Sequence, residues 1–394
     1  MLVSTIVRIG GKGEGVADDG RRAALAAPGD MLNDDGTLTP GLHRQTPPCR
    51  HFPTCGGCQL QHLDEDAYAA FVSDRVAGAL AGQGLTATIR PAQISPPRSR
   101  RRATLHADGK GGKVRLGFTE AKSHAIVDIT ECHILAPDLF ALVAPVRGLL
   151  QKLRLKGRAD VHLTLADQGP DILVTGVKAD GLSAHDAIVD FATAHRVARF
   201  AIDDGMGPET RWEPDAVTIT LGGVAVPLPP AAFLQATPEG EASLVAAVRE
   251  AIGDAPTTAD LFAGLGTFAL ALPGRVYAAE GARDALFALK AAANRAQRLV
   301  FAEHRDLYRR PLTVAELDRF AAVVIDPPRA GAREQAEALA TKASGVIAYV
   351  SCNPSSFARD AKMLCEGGWR LDWVVPVGQF RWSTHVELAA RFVK

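Results

Sequence analysis

Ala259-Asp260-Leu261-Phe262-Ala263-Gly264-Leu265-Gly266-Thr267-Phe268 reads as a strand that runs through a glycine turn into the start of a helix. Glycines at such a turn let the backbone bend tightly and pass close to a ligand. Outward from this stretch the same βα unit repeats. Strands are expected at Thr257–Phe262, Val276–Glu280, Leu299–Glu303, Ala321–Ile325, Val346–Val350, Trp369–Val377 and His385–Phe392. Helices are expected at Glu239–Ile252, Asp284–Ala296, Ala332–Lys342 and Phe357–Glu366, with another beginning at Gly266–Leu272. This alternation predicts an α/β fold with a mainly parallel, doubly wound, Rossmann-like sheet over residues 236–394.

Toward the N-terminus the pattern changes. Residues 46–235 mix a helix at 64–82 with strands at Val114–Phe118, Ala125–Ile129, Asp160–Leu165 and Asp171–Val177, and helices at Ala136–Leu153 and Ala184–His195. This is an α+β pattern. Residues 1–45 hold only short β-like runs, Leu2–Val7, Gly15–Ala17 and Ala23–Leu25, before the linker-like Thr46-Pro47-Pro48.

The 394 residues carry 44 basic and 44 acidic side chains, so net charge neither favours nor excludes an anionic partner. Two basic clusters stand out, Arg98-Ser99-Arg100-Arg101-Arg102 and Arg305 with Arg309-Arg310, the kind of patch that binds nucleic-acid backbones. The first residues lack the apolar core of a signal peptide, and no apolar run reaches 18 residues, so a cytoplasmic protein with no membrane contact is expected. In that reducing compartment the six cysteines point to metal binding or catalysis rather than disulfides.

Cys352 follows the apolar run Val346–Val350 and precedes Asn353-Pro354, which places a thiol where a strand ends, at the ligand-binding edge of an open sheet. Alone it would read as one more small buried hydrophobe. Its neighbours favour a nucleophile. Glu280 ends the strand after the glycine turn, where a carboxylate can accept both hydroxyls of a ribose. The turn lacks the third glycine of the dinucleotide fingerprint, which argues against a nicotinamide cofactor. Asp326-Pro327-Pro328-Arg329 ends the Ala321–Ile325 strand with a rigid turn short of two N–H donors. Cys49, Cys55 and Cys58 lie within ten residues, and Cys132 follows. Four thiols suit zinc or an iron–sulfur cluster; three close and one distant fit a cubane [4Fe–4S] better than paired zinc motifs.

The glycine turn, Glu280, Asp306 and Asp326 in this order resemble class I S-adenosylmethionine-dependent methyltransferases. Asp326–Gly331, Tyr349–Pro354 and Thr384-His385-Val386-Glu387, with Phe233-Leu234-Gln235 upstream, resemble the RNA uracil-C5 (5-methyluridine) methyltransferase family over most of the chain. Thr237 stands where family members usually carry Asn. The resemblance implies that Cys352 is the nucleophile and Glu387 the base. It also implies contacts to S-adenosylmethionine from Gln235, Phe262, Gly264, Gly266, Thr267, Glu280, Asp306 and Asp326. The four clustered cysteines resemble the [4Fe–4S] site of the branch that includes enzymes of 23S rRNA, which tilts the expected RNA partner toward rRNA over tRNA. Residues 1–45 resemble a shortened oligonucleotide-binding-type β module. A monomer is the expectation. The weighed alternatives are the same chemistry on tRNA, an amino-methyltransferase of adenine or cytosine, and a non-catalytic RNA-binding iron–sulfur protein. For the amino-methyltransferase, Arg329 stands where a base-stacking aromatic is usual.

Overall fold

A computed structural model describes residues 3–121 and 123–394. Its largest sheet has nine strands. Seven come from the C-terminal part: β1 (Thr257–Leu261), β2 (Arg275–Glu280), β3 (Val300–His304), β4 (Ala322–Ile325), β5 (Val346–Ser351), β6 (Arg370–Gly378) and β7 (Glu387–Val393). Their order is β3-β2-β1-β4-β5-β7-β6. The first five are parallel, and β7 runs antiparallel between β5 and β6. The doubly wound fold expected from the βα alternation is present.

The strand sequences explain the layers. Ala322-Val323-Val324-Ile325 is buried at every position, the continuous apolar run of a strand covered on both faces. Val323 and Ile325 join one core, and Ala322 and Val324 the other. The second face is covered by α1 (Pro238–Ile252) and α2 (Arg283–Arg295). The first is covered by α4 (Arg333–Thr341) and α5 (Pro354–Glu366), with the short α3 (Val314–Leu317) nearby.

A helix from the other end of the chain also packs on that first face. Glu65–Ala81, capped by Asp64 accepting from Ala67 N, buries Tyr68, Phe71, Val72, Val76 and Leu80 in the core that holds Tyr349 and Phe357. Thr88–Ile89 and Gln93–Ile94 then pair parallel to β6 and complete the sheet. On the opposite face the hairpin Thr218–Leu221/Val224–Pro227 shares a core with α1 and α2. Packing therefore does not follow the expected boundaries at 45/46 and 235/236. Residues 60–94 and 217–235 pack into the methyltransferase core through Leu60, Tyr68, Phe71 and Val72 on one face and Val217, Ile219, Val226 and Leu234 on the other.

The remaining central residues form a six-stranded sheet, Glu209–Trp212, Arg199–Asp203, Gly169–Thr175, Gly157–Ala166, Arg102–Lys110 and Lys113–Gly117 in spatial order, with its own core. Residues 4–39 form a small five-stranded sheet. The strand expected at Leu2–Val7 is Ser4–Ile9, and Leu2 lies outside the described residues.

Three local expectations fail. Ala125–Ile129 is not a strand; it makes one isolated bridge, Thr119 to Ile126. Ala136–Leu153 is two helices, Pro137–Phe140 and Val143–Lys152. Gly266–Leu272 is a series of turns with mixed spacing, Leu270 N to Gly266 O and Ala271 N to Phe268 O. The Asp260 carboxylate takes the Ala269 N–H at 2.8 Å and so replaces a helical carbonyl partner.

Candidate active site

Every residue expected at the cofactor lies at or beside the C-terminal ends of the strands, on either side of the β1/β4 switch point, where open α/β sheets bind ligands. Phe262 leaves β1 with φ 64°, a left-handed conformation that non-glycine residues rarely adopt and that marks functional turns. Gly264 follows at φ 55° and donates its N–H to Glu280 Oε2 at 2.8 Å. Gly266 sits at φ 92°, where a side chain is strained, and a Cβ there would stand 2.4 Å from Leu289 Cδ1. Thr267 is half-buried beside it. Glu280 ends β2 and also accepts from Ala282 N at 2.6 Å. Asp306, exposed two residues past β3, caps its own turn by accepting from Tyr308 N at 3.0 Å. The Tyr308 ring packs against Phe262, 5.5 Å between centroids.

The expected catalytic pair converges from two strands. In the antiparallel β5/β7 ladder Ser351 faces Leu388. One step further along that register, Cys352 stands opposite Glu387. Cys352 is half-buried and opens on a cleft, whereas Glu387 is 4% exposed. Burial, then repulsion from Asp326, pushes the Glu387 carboxyl up to about 8. Burial raises Asp326 to about 7. Burial, then the charges of Glu387 and Asp326, push the Cys352 thiol up to about 11, opposed by Arg329. The resting thiol is therefore protonated, and a thiolate is favoured when the two carboxyls carry protons.

A chain of amides links these groups. Gln379, just after β6, hydrogen-bonds the Glu387 carboxyl and donates Nε2 to Gln235 Oε1 at 2.7 Å. Gln235 Nε2 reaches Asp326 Oδ2 at 3.5 Å. Gln379 Oε1 accepts from Ala236 N at 2.8 Å. Sequence reasoning missed Gln379, although a polar residue directly after the apolar run of β6 is the same signal that exposed Cys352. Thr237, where family members usually carry Asn, is the N-cap of α1 and accepts from Gly240 N at 3.0 Å, a role that Thr and Asn share.

The turns around the thiol are tied together. Asn353 caps α5, and its Nδ2 and the Ser356 hydroxyl both donate to Arg329 O at 3.1 Å. Buried Asp360 accepts from Ala332 N at 2.9 Å, from Tyr349 Oη at 2.7 Å and from Arg359. Arg359 in turn donates to Ala330 O at 3.0 Å.

The cleft has a volume of about 720 Å³ and is walled by the catalytic turns on one side and the central sheet on the other. The first basic cluster divides by strand alternation. Arg100 and Arg102 line the cleft, stacked over Phe380 and Phe233 at 5.6 and 4.6 Å from the ring centroids. Arg101 points inward, paired with Glu241 at 2.6 Å and donating to Gln235 O at 3.0 Å. The second cluster is not a patch. Arg305 is 9% exposed and is held by Glu316 at 2.7 Å.

Cys49, Cys55, Cys58 and Cys132 line one small cavity, and Cys365 lies apart on α5. Burial raises all four thiols, Cys58 to about 12, and for Cys55, Cys58 and Cys132 the neighbouring thiolates add to it. Among the described residues no group of three or more His, Cys, Asp or Glu side chains is placed to hold a metal ion. Gly57 and Phe118 line both this cavity and the cleft, so the cysteine loop is part of the cleft wall.

The strand order, the glycine turn after β1 and the acid ending β2 define a class I methyltransferase fold. Residues 253–393 match the tRNA (uracil-5-)-methyltransferase family. An uncharacterized RNA methyltransferase of Zymomonas mobilis is 52% identical, with 99% of each chain covered. The 23S rRNA (uracil(1939)-C(5))-methyltransferase of Thiobacillus denitrificans is 32% identical over 95% of this chain and 92% of its own. Among solved structures, the Pyrococcus abyssi tRNA (uracil-54, C5)-methyltransferase in complex with S-adenosyl-L-homocysteine shares the fold, with TM-score 0.76, 23% identity and full coverage of both chains. The chain belongs to the tRNA (uracil-5-)-methyltransferase family of RNA methyltransferases.

Proposed function

We propose that this protein methylates carbon 5 of a uridine in 23S rRNA, through a covalent bond between Cys352 and carbon 6. The observation that carries the reaction is the convergence of Cys352 and Glu387 at the end of one antiparallel ladder, over a cleft wide enough for a base. Carbon 5 of uracil is a poor nucleophile. The Cys352 thiolate, its proton passed to solvent in the open cleft, adds to carbon 6 and leaves an enolate with carbanion character at carbon 5. S-adenosylmethionine supplies the methyl group on a positively charged sulfur. As carbon 5 forms the new C–C bond, the sulfur–methyl bond would break with its electron pair left on the cofactor's sulfur, now a neutral thioether, and the Glu387 carboxylate then takes the carbon-5 proton. The electron pair of that C–H bond restores the C5=C6 double bond, and the C6–S pair returns to Cys352. One proton is released overall. Arg329 favours the thiolate, and Gln379 orients Glu387.

Phe262, Gly264, Gly266, Thr267, Glu280, Asp306, Asp326 and Gln235 would hold S-adenosylmethionine. The fit rests on the left-handed Phe262, the bare Gly264 backbone and the strand-end carboxylate of Glu280. The four cysteines would hold a [4Fe–4S] cluster. The support for this is that the four thiols line one common cavity, and that three close thiols with one distant one suit a cubane. Binding would require four deprotonated thiols and so would release protons.

The ribosomal substrate is supported by this cysteine set and by the Thiobacillus relative. The family description and the Pyrococcus neighbour favour tRNA as the second reading. The test is incubation of the anaerobically purified protein with labelled S-adenosylmethionine and separated tRNA and rRNA from cells lacking it. Label in 5-methyluridine of large-subunit RNA is the expected result; label in tRNA transfers the proposal to the second reading. A methylated adenine or cytosine would overturn the mechanism.

A further inference from the structure

At the opposite edge of the sheet from Cys352, the N-terminal ends of the strands border a groove of about 750 Å³. It lies between the start of β1 at Thr257, the start of β2 at Arg275, Leu299 before β3 and Phe320 before β4. Its floor is aromatic. Tyr277 stacks on Phe301 at 6.1 Å and 18° between planes, and meets Phe320 tilted, at 5.4 Å and 31°. Phe301 is 67% exposed on the edge strand β3. The rim is cationic. Arg275 and Arg319 are exposed and make no side-chain hydrogen bond or ion pair among the described residues. Arg298 donates only to Gly222 O, at 3.3 Å. The two carboxylates of the groove are already committed, Glu316 to Arg305 and Glu303 to the Tyr277 hydroxyl.

An exposed ring, Phe301, stacked on Tyr277 and flanked by unpaired guanidiniums in the same groove matches the two faces of a single-stranded nucleic acid, flat bases and an anionic backbone. We infer that this groove is a second RNA contact, holding an unpaired stretch of the substrate on Phe301 while the target uridine occupies the cleft. The inference rests on the reading of the substrate as RNA. It makes long structured RNA a better substrate than a fragment that fills only the cleft.

The test compares the wild type, Phe301→Ala and the double variant Arg275→Gln/Arg319→Gln. Binding of a fluorescein-labelled oligouridine is measured by anisotropy across a salt series, and ultraviolet crosslinks are mapped to peptides. We expect a crosslink in the peptide containing Phe301, about tenfold weaker binding by Phe301→Ala, and a salt slope lower by about 0.7 per arginine removed. We also expect KM for a long rRNA transcript to rise while kcat, and KM for a minimal stem–loop, stay unchanged. Equal thermal midpoints show that the variants fold. Unchanged binding with crosslinks confined to the cleft overturns the inference. So does self-association that disappears in Phe301→Ala, which would assign the groove to a second copy of this chain. Binding is read without methyl transfer, so absence of 5-methyluridine would sink the reaction and leave this result intact.

Discussion

Burial, reinforced by Glu387 and Asp326 as they ionise, keeps the Cys352 proton in place at neutral pH, so the thiol depends on its surroundings for reactivity. Cys352→Ala should lower methyl transfer by at least about a thousandfold, measured with labelled cofactor. Glu387→Gln should behave differently. It removes a charge that opposes the thiolate, yet leaves no base for the carbon-5 proton. The expected outcome is a protein–RNA adduct that survives denaturing electrophoresis, with no free 5-methyluridine. In the wild type the rate should climb with pH through about 8 as Glu387 ionises. Stability should move the other way. Glu387 holds its proton more tightly folded, near 8, than unfolded, near 4.5. Its stabilising contribution is complete below the unfolded value and is lost as pH rises through the folded one. Melting temperature should therefore fall between pH 5 and pH 8. Glu387→Gln should flatten that decline, by an amount on the order of a few kcal/mol.

Between the residues and the fold lie the turns, and their ties set the site's precision. Asp360 holds Ala332, Tyr349 and Arg359 in one place and so fixes the turn that carries Arg329. Asp360→Ala should cost about 3 kcal/mol in urea unfolding and lower kcat with little change in KM for S-adenosylmethionine. Gly240→Ala would put a methyl 2.6 Å from Gln379 Cβ and should displace the amide that steadies Glu387. The strands were legible because β4 and β5 are unbroken apolar runs between turn residues, and so were the strand-end positions of Cys352 and Glu387, because each sits beside such a run. The turns at Gly266–Leu272 were not, since Asp260 competes with a helical carbonyl for the Ala269 N–H. Nor was Gln379, whose role depends on Gln235, which arrives from 144 residues away.

For the molecule as a whole, the cysteine loop and the catalytic turns share one cleft, so the proposed cluster would brace the wall of the RNA site. Cys132→Ser should remove bound iron and sulfide on elemental analysis and weaken RNA binding. The residues expected at the cofactor come together at one sheet edge, a placement that follows from the βα alternation. The destination of residues 60–94 was not, because no local pattern says which distant strand will accept Thr88–Ile89. A fragment beginning at residue 236 should be insoluble, since it leaves β6 unpaired and uncovers the core that Tyr68, Phe71 and Val72 fill. The Tyr68 hydroxyl bonds to Phe380 O, 312 residues further along. At ~5–20 residues per second, the ribosome needs roughly 15–60 s to deliver that partner. During that interval the finished helix Glu65–Ala81 waits with its apolar face in water, a client for chaperones before it is part of an enzyme.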